Sequence, residues 1–246
     1  MFISSKQLTH FSIHAVDDKV GGIRDILFDD ETFTIRYLVA DTNTWLPLSR
    51  KVVISPIAVT ELDNDEGTVD VNMTVEKLKN SPSIDEHKPV SREYEEHLFK
   101  YFGYGYYWIG PGAWGEFAHP NELVEQQQTE EPESLHPKKT SNHLRAVGEV
   151  SGYEVATTTD NVGHISNFII DTRSWEIVML VVDTNNWLPG GKHLVLLPHD
   201  IKSIDWAAHC VAVTLNHDEL INRPELDSDR ITEEGYVTML CKQLCK

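Results

Sequence analysis

Hydrophobic and polar residues alternate with period two in short stretches along this chain. Phe33, Ile35, Tyr37 and Val39 alternate with Thr34, Arg36, Leu38 and Ala40, and Trp175, Ile177, Met179 and Val181 repeat the pattern much later. Period two sends successive side chains to opposite faces of a strand, so each set predicts a strand with one buried face. Val69, Val71 and Met73 alternate with Asp70 and Asn72 in the same way. The continuous apolar runs Val52-Val53-Ile54 and Leu194-Val195-Leu196-Leu197 predict core strands. Polar turn residues separate them, at Asp17-Asp18-Lys19, Asp29-Asp30-Glu31 and Asn64-Asp65-Glu66-Gly67.

These elements occur twice. The segment VGGIRDILFDDETFTIRYLVADTNTWLP, from Val20 to Pro47, aligns without a gap on VGHISNFIIDTRSWEIVMLVVDTNNWLP, from Val162 to Pro189. The register continues through Pro56/Pro198, Asp63/Asp205, Val69/Val211, Leu78/Leu220 and Pro82/Pro224. A gapless match of this length means one module, duplicated. Several short strands at close spacing predict a small barrel or sandwich, read here as about six strands per copy. Closing a sheet into a barrel removes its exposed edges.

Each strand run leads into a short helix. Asn216 with Glu219 three residues on has capping-box spacing, and Thr74 is its counterpart before Val75. Pro82 and Pro224 stop both helices. A further helix is predicted from Ser91 to Phe102, with Tyr94, Leu98 and Tyr101 on one face and Phe99 and Phe102 beside them. It runs into the aromatic segment Tyr104, Tyr106, Tyr107, Trp108. Pro111, Pro120, Pro132 and Pro137, with Gln126-Gln127-Gln128 and Glu130, Glu131 and Glu133, predict a mobile linker. The organisation expected is a first module over residues 1–82, a helix and aromatic arm over 83–108, a linker over 109–145, a second module over 146–224 and a helical tail over 225–246.

Charge narrows the partners. The formal net charge is −18, from 39 acidic and 21 basic residues, and basic residues stand side by side only at Arg50-Lys51 and Lys138-Lys139. Such a chain is repelled by nucleic acid and by anionic lipid, so direct nucleic-acid binding is not expected. No stretch reaches the roughly 18–20 apolar residues of a membrane-spanning helix, and the N-terminus lacks a signal-peptide pattern. Three cysteines, Cys210, Cys241 and Cys245, form no disulfide framework. The expected location is the cytoplasm.

The unit V-G-x-I, an alternating strand, D-T-N-x-W-L-P and a β-run ending in proline together resemble the PRC-barrel family. That family is named after the photosynthetic reaction centre of purple bacteria, whose H subunit has such a barrel. The chain is most similar to stand-alone bacterial proteins with two such barrels in tandem. The element Pro89-Val90-Ser91-Arg92-Glu93-Tyr94-Glu95-Glu96, with the aromatics ending at Trp108, also looks like that group. The resemblance implies a mainly β fold of two PRC-type barrels used as docking surfaces, with no catalytic residues and no cofactor.

The candidate sites follow from the duplicated motif. Trp45 and Trp187 occupy matched positions, where a tryptophan either packs over a barrel end or presents a docking hot spot. Tyr104, Tyr106, Tyr107 and Trp108 either fold back on a barrel or form a partner-binding arm. Asp41 and Asp183 end matched strands and would cap their own turns, the alternative being that the pair holds a cation. Of the twelve histidines only His10 and His14 stand in H-x-x-x-H spacing, too few ligands for a metal pattern, and the sequence has no P-loop, no G-x-G-x-x-G after a strand and no G-x-S-x-G. The function expected is non-catalytic docking to a protein partner or self-association. The alternatives are a small-ligand or metal-binding enzyme with its site between the barrels, and a purely structural homodimer.

Overall fold

A computed structural model describes residues 1–41, 52–82, 90–124, 143–185, 187 and 190–245. The first copy of the repeat forms β1 (Phe2–Ser4), β2 (Ser12–His14), β3 (Lys19–Asp29), β4 (Thr34–Ala40), β5 (Val52–Ile54), β6 (Val59–Asp63) and β7 (Thr68–Val71). The second copy repeats them as β8 (Leu144–Ala146), β9 (Glu154–Ala156), β10 (Asn161–Asp171), β11 (Glu176–Asp183), β12 (His193–Leu196), β13 (Ile201–Asp205) and β14 (Cys210–Val213). The helices are α1 (Ser5–Leu8), α2 (Val75–Lys79), α3 (Arg92–Phe102), α4 (Val147–Val150), α5 (His217–Ile221) and α6 (Tyr236–Leu244). The fold is mainly β, as the alternation predicts.

The chain divides into two compact units. The first-copy unit holds Leu8–Ala146 with Arg173–Glu176, and the second-copy unit holds Met1–Gln7, Val147–Thr172 and Ile177–Lys246. Within the first, the hydrogen-bonded order is β6-β7-β2-β3-β4-β5, and within the second it is β13-β14-β9-β10-β11-β12. Both orders contain one parallel pair, β2 with β7 and β9 with β14. Each path of six strands is open, its end strands joined by a single 3-10 turn at Pro56–Ala58 or Pro198–Asp200.

The units do not follow the repeat at its start. The first strand of each copy lies in the unit of the other. In the second-copy unit β1 pairs with β10, Ile3 opposite Ile170. In the first-copy unit β8 pairs with β3, Arg145 opposite Phe28.

Three hairpin connections share one local device. Asp29, Asp63 and Asp205 each end a strand, and one carboxylate oxygen accepts from two backbone N–H groups just beyond, at 3.0 and 3.1, 2.8 and 2.9, and 3.0 and 2.9 Å. The chain then turns through a positive-φ residue, Phe33 (φ 52°), Gly67 (65°) or His209 (51°). Trp175 (59°) fills that place in the matching hairpin of the second copy. Phe33 and Trp175 therefore close turns and do not open the alternating strands. A left-handed non-glycine residue costs about 1–2 kcal/mol, offset here by burying two large aromatics.

The single buried face expected for β4 is also corrected. All seven of its residues are buried. The elements following the first copy cover its second face. Residues 109–124, expected as linker, belong to this cover: Trp114 is fully buried and donates its indole N–H to the Ser174 carbonyl at 2.6 Å. Residues 125–142 lie outside the described set.

The capping signals operate as expected. Thr74 Oγ1 accepts from the Lys77 N–H at 3.2 Å. Asn216 and Glu219 form the reciprocal box at 2.9 and 2.8 Å. Ser91 caps α3 through the Tyr94 N–H at 3.2 Å.

Candidate functional site

The D-T-N-x-W-L-P loop is described in the second copy from Asp183 to Asn185, with Trp187. Asp183 ends β11, and its Oδ1 accepts the Asn185 N–H at 2.8 Å, which shapes the turn. Its Oδ2 lies 3.5 Å from His193 Nε2. Partial burial pushes the carboxyl pKa up, but the Asn185 N–H and the nearby His193 and His164 outweigh burial and leave it below the usual value. Thr184 is fully buried, and its hydroxyl accepts the Lys192 N–H at 2.8 Å and donates to the Lys192 carbonyl at 3.1 Å. The Trp187 N–H closes the turn on the Thr184 carbonyl at 2.8 Å.

The two ends of the repeated motif are coupled through a glycine. A Cβ on Gly163 (φ +72°) would sit 2.4 Å from the Asp183 carbonyl oxygen. A Cβ on Gly21 (φ +150°) would sit 1.9 Å from that of Asp41. The V-G and D-T-N elements recur together because only glycine lets these backbones approach.

The loop fixes its ends and leaves its tryptophan out. Trp187 is 42% exposed, more than any other tryptophan among the described residues. Trp45, with Thr42 and Asn43, lies outside the described residues. Asp41 is partly buried in the first-copy unit, its N–H donating to the Gly22 carbonyl at 2.8 Å. Among the described residues no group of three or more His, Cys, Asp or Glu side chains could hold a metal ion. Cys241 is partly buried against the second-copy core, Cys245 is exposed, and all three cysteines are free.

The aromatic segment folds back. Tyr104, Tyr106 and Tyr107 are buried and Trp108 is partly exposed. Their rings surround Phe99 of α3, with centroids 5.3–6.3 Å away. At the centre is Glu95, 3% exposed. Its Oε1 accepts the phenol O–H groups of Tyr37 (2.8 Å) and Tyr107 (2.7 Å), and its Oε2 pairs with the Arg92 guanidinium at 2.9 Å. Every donor aimed at Glu95 suits the ionised carboxylate, which only accepts. Burial pushes its pKa up, against the pull of Arg92 and the two phenols. Burial and the neighbouring carboxylate also push the Tyr37 and Tyr107 phenols well up. Arg36 of β4 is buried beside this knot, its guanidinium 3.8 Å from the Tyr107 ring centre and hydrogen-bonded to the Ala113 carbonyl.

Sequence reasoning missed Arg36, Tyr37 and Glu95 as a group. The face of α3 that is buried carries Glu95, Leu98, Phe99 and Phe102, while Tyr101 is 36% exposed. A carboxylate at a helical core position does not register as apolar, so periodicity places the face one residue off. The signal that could have found the group is the repeat itself. In register, Arg36, Tyr37 and Glu95 align with Val178, Met179 and Val237 of the second copy.

Two open six-strand paths of identical order, each carrying the glycine–aspartate crossing and a capped helix, define a duplicated β module. The PRC-barrel domain profile matches residues 5–78 and 144–215, and the chain belongs to that family. Domains of this family are protein-interaction modules. No individual curated protein matches the chain. Among the described residues no helix is long and apolar enough to cross a membrane.

Proposed function

We propose that this chain is a non-catalytic cytoplasmic docking protein whose two copies act as six-stranded barrels. The D-T-N-x-W-L-P loops would engage a protein partner or a second copy of the chain. One observation carries this reading: Trp187 is exposed on a loop whose backbone is locked by Asp183, Thr184 and Gly163. An exposed tryptophan buries a large area on binding, which suits a hot spot. Trp45 repeats it in the first copy by sequence. With a net charge of −18, the complementary partner surface is basic.

The test uses the full-length chain as bait, under moderate salt to screen weak charge contacts. The expected result is a protein recovered in stoichiometric amount, this chain included, and lost in the W45A/W187A variant. Recovery that survives this double substitution removes the docking role from these loops. Absence of any partner and of self-association removes the reading altogether.

A further inference from the structure

The N-terminal strand belongs to one unit and the chain that follows it to the other. Met1–Gln7 lie in the second-copy unit, and from Leu8 onward the chain builds the first-copy unit. The break falls inside α1 (Ser5–Leu8), a single turn of helix. What precedes it is a short element docked by a small number of well-defined contacts. Ile3 is fully buried opposite Ile170. The Met1 carbonyl accepts both the N–H (2.9 Å) and the hydroxyl (3.0 Å) of Thr172. Ser5 is buried; its hydroxyl donates to Asn167 Oδ1 at 2.8 Å and accepts the Phe168 N–H at 3.2 Å.

Fit is specific on both sides of the repeat. In the first-copy unit, β8 is held by Asp30, with Arg145 Nε at 3.3 Å and His143 Nδ1 at 3.2 Å. The registers make Ile3 the counterpart of Arg145 and Thr172 that of Asp30. An isoleucine cannot answer Asp30, and Thr172 cannot neutralise an arginine. The β10 edge therefore selects β1, and the β1 of another molecule of this chain offers the identical side chains.

We infer that β1 is an exchangeable donor strand, and that two copies of this chain form a dimer by inserting β1 of each into the β10 edge of the other. Every contact of the exchanged strand is the same within one chain or between two, so only the α1 hinge and the loss of independent motion distinguish the states. Exchange needs detachment of one short strand and no unfolding of a unit. The dimer therefore accumulates when the chain is refolded at high concentration and reverts on dilution. The inference does not rest on docking through Trp187.

Phe2 and Asp171 make a direct test. They face each other as a non-hydrogen-bonded pair, bracketed by the Thr172 N–H to Met1 carbonyl bond. Such pairs bring Cα atoms to about 4.5 Å, within disulfide range. The full-length F2C/D171C variant is prepared in light and isotopically heavy forms, mixed, refolded together at high concentration, oxidised and fractionated by size. Peptide mass spectrometry then reads the disulfide between the two substituted positions. The expected result is same-label links in the monomer and links joining heavy to light halves in the dimer, approaching half of all links there. A dimer carrying only same-label links overturns the inference, and so does the absence of a dimer at every concentration. Should the cysteine pair fail to link in the monomer as well, the unmodified chain decides. A refolding-dependent dimer abolished by deleting residues 2–5 supports exchange, and one that survives the deletion overturns it.

Discussion

The two units cover the same strand face in opposite ways. In the first-copy unit, α3 and the aromatic arm close over β4 around a buried charge, Glu95, held by Tyr37, Tyr107 and Arg92. In the second-copy unit, α6 brings Tyr236, Val237 and Leu240 into one apolar cluster with Met179 and Val181 of β11. The helices are in register across the repeat: Tyr94 answers Tyr236, Glu95 answers Val237 and Leu98 answers Leu240. On the strands, Arg36 answers Val178 and Tyr37 answers Met179. One backbone thus accepts a polar or an apolar solution, provided that all members change together. The apolar version depends on shape alone. The polar version fixes one arrangement of helix and arm, because a displaced Glu95 would leave a buried charge without donors.

The largest effect is expected from placing the charge in the wrong unit. V237E would bury a carboxylate among Met179, Val181 and Leu240, none of which donates a hydrogen bond. The second-copy unit should lose about 5 kcal/mol or fail to fold, measured by denaturant unfolding and by hydrogen exchange in α6. Stability within about 1 kcal/mol of the parent would mean that α6 is not held as a dry face.

The reverse change is next. E95V takes the acceptor from the buried Tyr37 and Tyr107 hydroxyls and the anion from the half-exposed Arg92, and should cost the first-copy unit about 2–3 kcal/mol. The R36V/Y37M/E95V variant copies the second unit's residues and should recover a large part of that loss. Arg36 Nε already lies buried without an acceptor, so its removal also relieves a cost. A triple variant no more stable than E95V would show that the two solutions are not interchangeable.

Acid sensitivity should carry opposite signs. The folded pKa of Glu95 is raised. As pH rises from the usual glutamate value of about 4.3, the unfolded chain loses this proton first. Stability from this group therefore falls until pH passes the raised folded value, then levels off. Asp183 is lowered in the fold, so its contribution is present above the usual aspartate value and is lost as pH falls through the depressed one. Unfolding free energies across acidic pH should lose the first slope in E95Q and the second in D183N. Unchanged slopes in both variants would assign the pH dependence to other groups.

The smallest stability effect belongs to the exposed loop. W187A should change unfolding free energy by less than about 0.5 kcal/mol, while weakening partner or self-association at least tenfold in a binding titration. A large stability loss would make Trp187 a packing residue and move the docking surface elsewhere.

Much of the fold is legible from residue types at short range. Alternation over 34–40 and 176–183 marks strands because side-chain direction is fixed by backbone pleat alone. Asn216 and Glu219 mark a helix start because their bonds span three residues. The duplication points to the Trp187 loop because its motif recurs around Trp45 in the same register. Pattern alone misplaces Phe33 and Trp175, because the Phe33 turn depends on Asp29 four residues earlier and both turns on burial that offsets the left-handed backbone. The Glu95 knot is illegible for a different reason: its four side chains come from β4, α3 and the arm, separated by up to 70 residues (107 − 37).

The sequence by itself determined the mainly β class, the duplication, the family, the capped helices and the acidic surface, all of which rest on local pattern or composition. Tertiary structure alone decided that β1 and β8 change units, that residues 109–124 are core cover, and that Glu95 is a buried ion while Val237 is not. Those outcomes depend on which distant segments find complementary partners, and a side chain's polarity does not reveal its partner until the chain has brought the two together.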